Sequence, residues 1–218
     1  GDTPAFGWPP VVDHAGAQQA AISILGALAS RRRGESDEQG CFIDLALTDS
    51  YLAWQDWGLT GAQSGDSAEI PKRNGNLLNG GGACYRLYRT SDNRFISLGA
   101  LEKKFWRNFC EAVGKPHWAE RQQEPLPQTD LIDQVSELIA GKTMNQWIEI
   151  LSGVDCCFQA VLEYGETIDD DHVRDRQLLQ SGDGFLQVLY PAHINGKPPQ
   201  ERPSVREINF DQALKSWT

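Results

Sequence analysis

Apolar positions recur at helical spacing early in the chain: Ala21, Ile22, Leu25, Leu28 and Ala29 share one face of a helix expected over Ala15 to about Arg33. Arg31-Arg32-Arg33 closes its last turn, where cations suit the helix dipole. Gly34 to Gly40 is a polar turn. Cys41 to Leu47 has the length and apolar content of a buried strand, and Thr48 or Asp49 is placed to cap a second helix through Tyr51, Leu52, Trp54, Trp57 and Leu59. From Gly61 to Ala83 the glycines mark a loop and a boundary. Tyr85–Arg89 and Arg94–Leu98 flank Thr90-Ser91-Asp92-Asn93 and predict a β-hairpin. Glu102 opens a helix that carries Phe105, Trp106, Phe109, Cys110 and Val113 and stops at Gly114. Further helices are expected near Asp130–Ala140 and Met144–Leu151, then a strand from Phe158 to Leu162. Asp169-Asp170-Asp171 opens a last short helix, Gly184 to Leu189 reads as a strand, and the tail from Gly196 reads as irregular. This mixture predicts an α/β fold joined to an α+β part, in two lobes.

Composition narrows the function. The 218 residues carry 30 acidic against 20 basic side chains, a net charge of −10. Such a surface repels phosphate backbones and anionic lipid, so no nucleic-acid partner and no membrane role is expected. No apolar run approaches the ~20 residues of a spanning helix, and the first residues lack the basic and apolar regions of a signal peptide. Five cysteines (41, 84, 110, 156 and 157) are odd in number and show no C-x-x-C spacing, which fits a reduced, cytoplasmic protein. A metal site from Cys156, Cys157, His172 and His193 is conceivable; buried thiols are the commoner use of cysteine, and no metal is expected.

Four features could carry chemistry. Asp13, after Pro9-Pro10 and before the first helix, fits a plain N-cap, or a base or nucleophile beside helix-end donors. Its neighbour His14 faces elsewhere. Glu102, in a first helical turn, fits dipole compensation or a carboxylate that orients a partner. Asn79-Gly80-Gly81-Gly82 permits close backbone approach to a ligand but has no nucleotide-loop spacing, and a flexible lead-in to the hairpin is its plain reading. Seven tryptophans, among them Trp54, Trp57 and Trp106, supply area for core, interface or pocket.

The order and spacing of these pieces resemble the family III CoA-transferases, the CaiB/BaiF family. The matching pieces are Pro10 to Gly16, Ala27 to Arg31, Phe42 to Leu47 and Asp49-Ser50. They continue with Gly81 to Thr90, Asp92 to Trp106, Asp155-Cys156-Cys157, Val161 and Asp171 to Arg176. The hairpin and the Ala-Leu-Glu-x-x-Phe-Trp segment are most similar to the α-methylacyl-CoA racemase branch. The resemblance implies part of a large nucleotide-fold-like domain plus a smaller α+β domain. It places a large-domain remnant at 1–62, a Gly-rich linker at 63–84, the small domain at 85–165 and a return segment at 166–218. It implies acyl-CoA as substrate, with coenzyme A as the carried group, and a homodimer of threaded subunits.

Asp13 matches the family's catalytic aspartate, which attacks a thioester in transferases and moves the α-proton in racemases. Glu102 matches the glutamate that supports the racemase histidine. Gly80, Gly81, Gly82 and Tyr85 are implied as substrate-binding. That histidine lies upstream of the aspartate in the family, and His14, His117, His172 and His193 do not occupy its place. The expectation is therefore the C-terminal part of such an enzyme: a fragment, a half completed by a second polypeptide, or a shortened relative used for binding or assembly. Asn93 stands where the family's hairpin has glycine, a change that an asparagine tolerates.

Overall fold

The computed structural model describes residues 7–32, 40–65, 70–182, 184–202 and 207–215. Arg33, most of the expected 34–40 turn and the last three residues lie outside them. The chain divides into two compact units, residues 1–159 and 160–218.

The first unit begins with helix α1 (Val11–Arg32), followed by α2 (Leu47–Leu52) and α3 (Asp56–Ser64). Helix α1 packs on α2, and Ala15 and Gly16 are its buried residues. Asp13 is the third residue of α1 rather than a cap outside it. The helix starts directly after the proline pair, and the Pro10 carbonyl already accepts the His14 N–H at 3.2 Å. Proline suits this position because the first N–H groups of a helix have no partner to lose.

The strand expected over Cys41–Leu47 does not form. A strand requires a hydrogen-bonding neighbour, and among the described residues none lies beside this segment; Phe42 is 92% exposed. The second helix also differs from expectation. It starts at Leu47, with Ala46 as its N-cap, so Thr48 and Asp49 lie inside its first turn. The chain then breaks at 53–55 before α3, whose Asp56 accepts the Trp57 N–H at 2.8 Å. Helix α3 extends into the stretch expected to be loop, and Gly61 is buried within it.

Strands β1 (Tyr85–Arg89) and β2 (Phe95–Gly99) pair antiparallel, with Leu87 opposite Ser97, as the alternation predicts. Asn93 closes the turn at φ 61°, a left-handed conformation that asparagine adopts more readily than most residues. A three-stranded sheet of order β1-β2-β3 is completed by β3 (Phe158–Ala160). Helix α5 (Thr129–Ala140) packs on β1, and α4 (Lys103–Ala112) packs on a 3₁₀ segment (Pro116–Gln123) and on α6 (Met144–Leu151).

The core of this unit is formed where Trp106, Phe109 and Cys110 project from one face of α4. Trp106 and Phe109 stack with ring centroids 5.3 Å apart. Leu131, Val135 and Ile139 on α5 and Trp147 and Leu151 on α6 add the remaining large apolar area. Each indole here satisfies its polar edge: Trp106 Nε1 donates to the Trp118 carbonyl at 3.0 Å and Trp147 Nε1 to the Ile139 carbonyl at 2.8 Å.

The second unit holds α7 (Tyr164–Ile168), α8 (Asp171–Asp175), the hairpin β4 (Leu179–Gly182) and β5 (Phe185–Val188), and α9 (Phe210–Lys215). Asp170 caps α8, its side chain accepting the Val173 N–H at 3.2 Å, as the acidic cluster predicts. The sequence pattern missed α7, β4 and α9. All three are short, and α9 lies in the tail expected to be irregular.

Candidate functional site

The run of glycines organises a site in the first unit. Residues 72–81 form a loop tied to itself by asparagine side chains. Asn76 Oδ1 accepts the Lys72 N–H at 2.7 Å, Asn79 Oδ1 accepts the Asn76 N–H at 2.8 Å, and Asn79 Nδ2 donates to the Lys72 carbonyl at 2.7 Å. Gly80 ends the loop at φ 98°. Gly81 then passes hard against the loop's start. A Cβ there would sit 2.5 Å from the Gly75 carbonyl carbon and 2.8 Å from the Asn76 nitrogen. Only glycine permits this crossing of two backbones.

Beyond the crossing, Tyr88 Oη donates to the Ala83 carbonyl at 2.7 Å from inside the core. Burial pushes the Tyr88 phenol well above its ordinary value, with smaller opposing and reinforcing effects from Arg86 and Cys84.

The loop, the β1–β2 hairpin and Cys157 line a half-open cavity of about 490 Å³. Gly80, Tyr85 and Arg86 line it together with Asn74, Asn79 and Cys157. Arg86 is half-buried, and its Nη1 donates to the Gly80 carbonyl. Cys157 has φ 52°, and its carbonyl accepts the Gly99 N–H at 3.0 Å. Burial, then the Glu102 and Asp155 carboxylates, push the Cys157 thiol above its ordinary range. Glu102 is the N-cap residue of α4 and is exposed, so its charge reaches Cys157 at the rim of the cavity.

The structure therefore brings Gly80 and Tyr85 together in one cavity, and Glu102 is not among its lining residues. Gly81 and Gly82 are buried beneath it and shape the loop. Asp13 is exposed in the first turn of α1, and among the described residues its side chain has no hydrogen-bond or ion-pair partner, Glu102 included. Arg86, Asn74 and Cys157 were missed as lining residues by the sequence reading. The repeated asparagines at 74, 76 and 79 were the available signal, since asparagine side chains commonly close turns on their own backbone.

Of the seven tryptophans, Trp106 is core, whereas Trp54 and Trp57 are exposed by 46% and 69%. Among the described residues no group of three or more His, Cys, Asp or Glu side chains is placed to hold a metal ion. Cys156 is buried while Cys157 is exposed, and His193 Nε2 lies 2.9 Å from the Arg176 carbonyl.

A mixed α/β chain with a glycine-crossed loop over a small α+β sheet is the class these features define. The chain belongs to CoA-transferase family III, whose model matches residues 1–204. It is 29% identical over 164 residues to the alpha-methylacyl-CoA racemase of Homo sapiens, covering 74% of this chain and 41% of that protein. It is 23% identical over 153 residues to the (R)-2-hydroxy-4-methylpentanoate CoA-transferase of Clostridioides difficile, covering 67% of this chain and 37% of that one. Among solved structures, a CaiB/BaiF family protein from Brucella suis superposes with a TM-score of 0.73 at 17% identity, over 99% of this chain and 57% of that chain. The chain thus spans about half, or less, of the relatives it matches, and the fold is that of the family.

Proposed function

We propose that this chain processes acyl-CoA esters by α-proton transfer, in the manner of an α-methylacyl-CoA racemase. The observation that supports the reading is the cavity lined by Gly80 and Tyr85, set beside the 29% identity to a racemase. A thioester acidifies its α-carbon, so a positioned carboxylate can remove the proton, an enolate forms, and a proton returns to the opposite face. In this reading Asp13 is one of the two acid/base groups. Gly80, Gly81, Gly82 and Tyr85 form the binding wall, and Glu102 orients the second acid/base group. That second group is a histidine supplied from outside the present sequence, by a longer chain or by another polypeptide.

The reading also assigns residues 1–62 to a large domain, 63–84 to a linker, 85–165 to the small domain and 166–218 to a return segment. It places the protein in the cytoplasm as a homodimer. No helix among the described residues is long and apolar enough to cross a membrane.

The test is α-deuterium incorporation from D₂O into a 2-methylacyl-CoA, read by mass spectrometry. Asp13→Asn should lower the rate by about 10²–10⁴-fold while leaving ester binding intact. Equal exchange by Asp13→Asn and the parent chain would remove Asp13 from the mechanism.

The similarity to a CoA-transferase favours a second reading, in which Asp13 attacks the thioester carbonyl and ends as an aspartyl-CoA thioester. A CoA adduct on Asp13, with no α-exchange, would select it.

A further inference from the structure

The cavity beside the glycine run holds a cation, Arg86, that has no counter-ion among the described residues. Arg86 presents five N–H donors in a fixed fork, and one is held by the Gly80 carbonyl. Among the described residues no Asp or Glu lines the cavity. The chain carries 30 acidic against 20 basic residues. Elsewhere Arg121 pairs with Glu124 and Asp130, Arg174 with Asp169, and Lys104 with Asp155. The Glu102 and Asp155 carboxylates act on the Cys157 thiol at this cavity, and Arg86 is the cation among its described lining residues. Leu78, Leu87 and Leu98 add apolar surface to its lining. The bond to Gly80 holds the guanidinium in place, so less freedom is lost when a ligand docks.

We propose that Arg86 is the anion-anchoring residue of this cavity, and that it receives an oxyanion of an acyl-CoA: a carboxylate on the acyl chain or a phosphate of the CoA moiety. This rests on the acyl-CoA reading above and adds to it the charge class of the group bound here. Both sources offer two oxygens to the guanidinium fork, the geometry that arginine recognises best.

Calorimetry on the full chain distinguishes the sources. The probes are coenzyme A, butyryl-CoA, succinyl-CoA and inorganic pyrophosphate. The proteins are the parent, Arg86→Gln, and Arg89→Gln as a control on the same strand outside the cavity. If the anion is an acyl carboxylate, the parent binds succinyl-CoA about 10-fold tighter than butyryl-CoA, and Arg86→Gln erases that preference. If it is a phosphate, Arg86→Gln weakens all three CoA compounds by about 10-fold alike. Arg89→Gln changes neither pattern. Should Arg86→Gln lose its native near-ultraviolet circular dichroism, Arg86→Lys carries the test. It keeps the charge without the fork, and an affinity reduced severalfold is expected. Affinities unchanged by the Arg86 substitution overturn the proposal, as does failure of the parent to bind any probe. Arg86-dependent binding of pyrophosphate, with no CoA compound bound, would sink the acyl-CoA reading and leave the oxyanion site standing.

Discussion

The Gln128 side-chain oxygen accepts the backbone N–H of Ala83 at 3.0 Å, a bond that spans 45 residues of chain. From the other end of the same amide, Nε2 donates to the carbonyls of Gln122 at 2.9 Å and Glu124 at 3.1 Å. The Gln128 backbone N–H completes the junction by donating to Gly81 at 2.9 Å. One buried glutamine thus fixes the path by which the glycine run enters β1, and with it the wall of the cavity.

Replacing Gln128 by leucine should therefore destabilise the protein out of proportion to the size of the change. The leucine fills a similar volume but leaves the Ala83 N–H and two carbonyls buried without partners. Each buried unsatisfied group costs about 1–3 kcal/mol, so a loss of about 3 kcal/mol or more is expected in urea unfolding. A loss below about 1 kcal/mol would show that the junction is held by other contacts.

Gly81→Ala should damage the site more than its single methyl suggests. The added carbon would meet backbone atoms of Gly75 and Asn76, which cannot rotate away as a side chain would. The 72–80 loop must move, and the cavity wall with it, so acyl-CoA binding should fall about 10-fold or more. Gly153→Ala, where no atom lies within 4 Å of the new carbon, is the control and should leave binding unchanged. Equal affinities for all three proteins would mean that the loop does not shape the binding wall.

The legible parts of this chain are those whose signal is local. The hairpin was readable because alternation and an Asp-Asn turn are both local, and the turn uses Asn93 in the conformation expected. Helices α4, α5 and α6 were readable because their apolar residues recur on one face. Cys41–Leu47 failed for the opposite reason. Its composition is that of a strand, but strand formation depends on a partner that no local pattern reveals. Arg86 failed likewise. Its role depends on a carbonyl six residues earlier and on Cys157, far along the chain, which only the folded structure brings to one cavity.

Asp92 should titrate below the ordinary aspartate value near 3.8. Thr90 Oγ1 donates to its carboxylate at 2.5 Å, and the Met144 N–H at the start of α6 donates at 3.2 Å. These bonds favour the ionised form. The stability they add is present above the unfolded value and is lost as pH falls through the lower folded one. Carbon-detected NMR titration of the Asp92 carboxyl reads this directly. A midpoint at or above the ordinary value would mean that the turn and α6 are not tied in solution.

At the alkaline end one titrating group is Cys110, whose burial in the α4 core pushes its thiol from 9.0 to about 12. Below pH 9.0 folded and unfolded chains both hold the proton, and this group adds no pH dependence. Between 9.0 and about 12 the unfolded chain releases a proton that the folded chain keeps. Stability must then fall with rising pH, by up to about 1.4 kcal/mol per unit for this one thiol. Cys84 is shifted in the same direction, again chiefly by burial, and steepens the fall. Urea unfolding at about pH 8 and about pH 10 should show the decline, and Cys110→Ala should make it shallower by about one proton's worth. The alanine also lowers stability at both pH values by leaving a small void, so the slope and not the midpoint is the informative quantity. An unchanged slope in Cys110→Ala would mean that solvent reaches this thiol in the native state, and that α4 is not closed over its core.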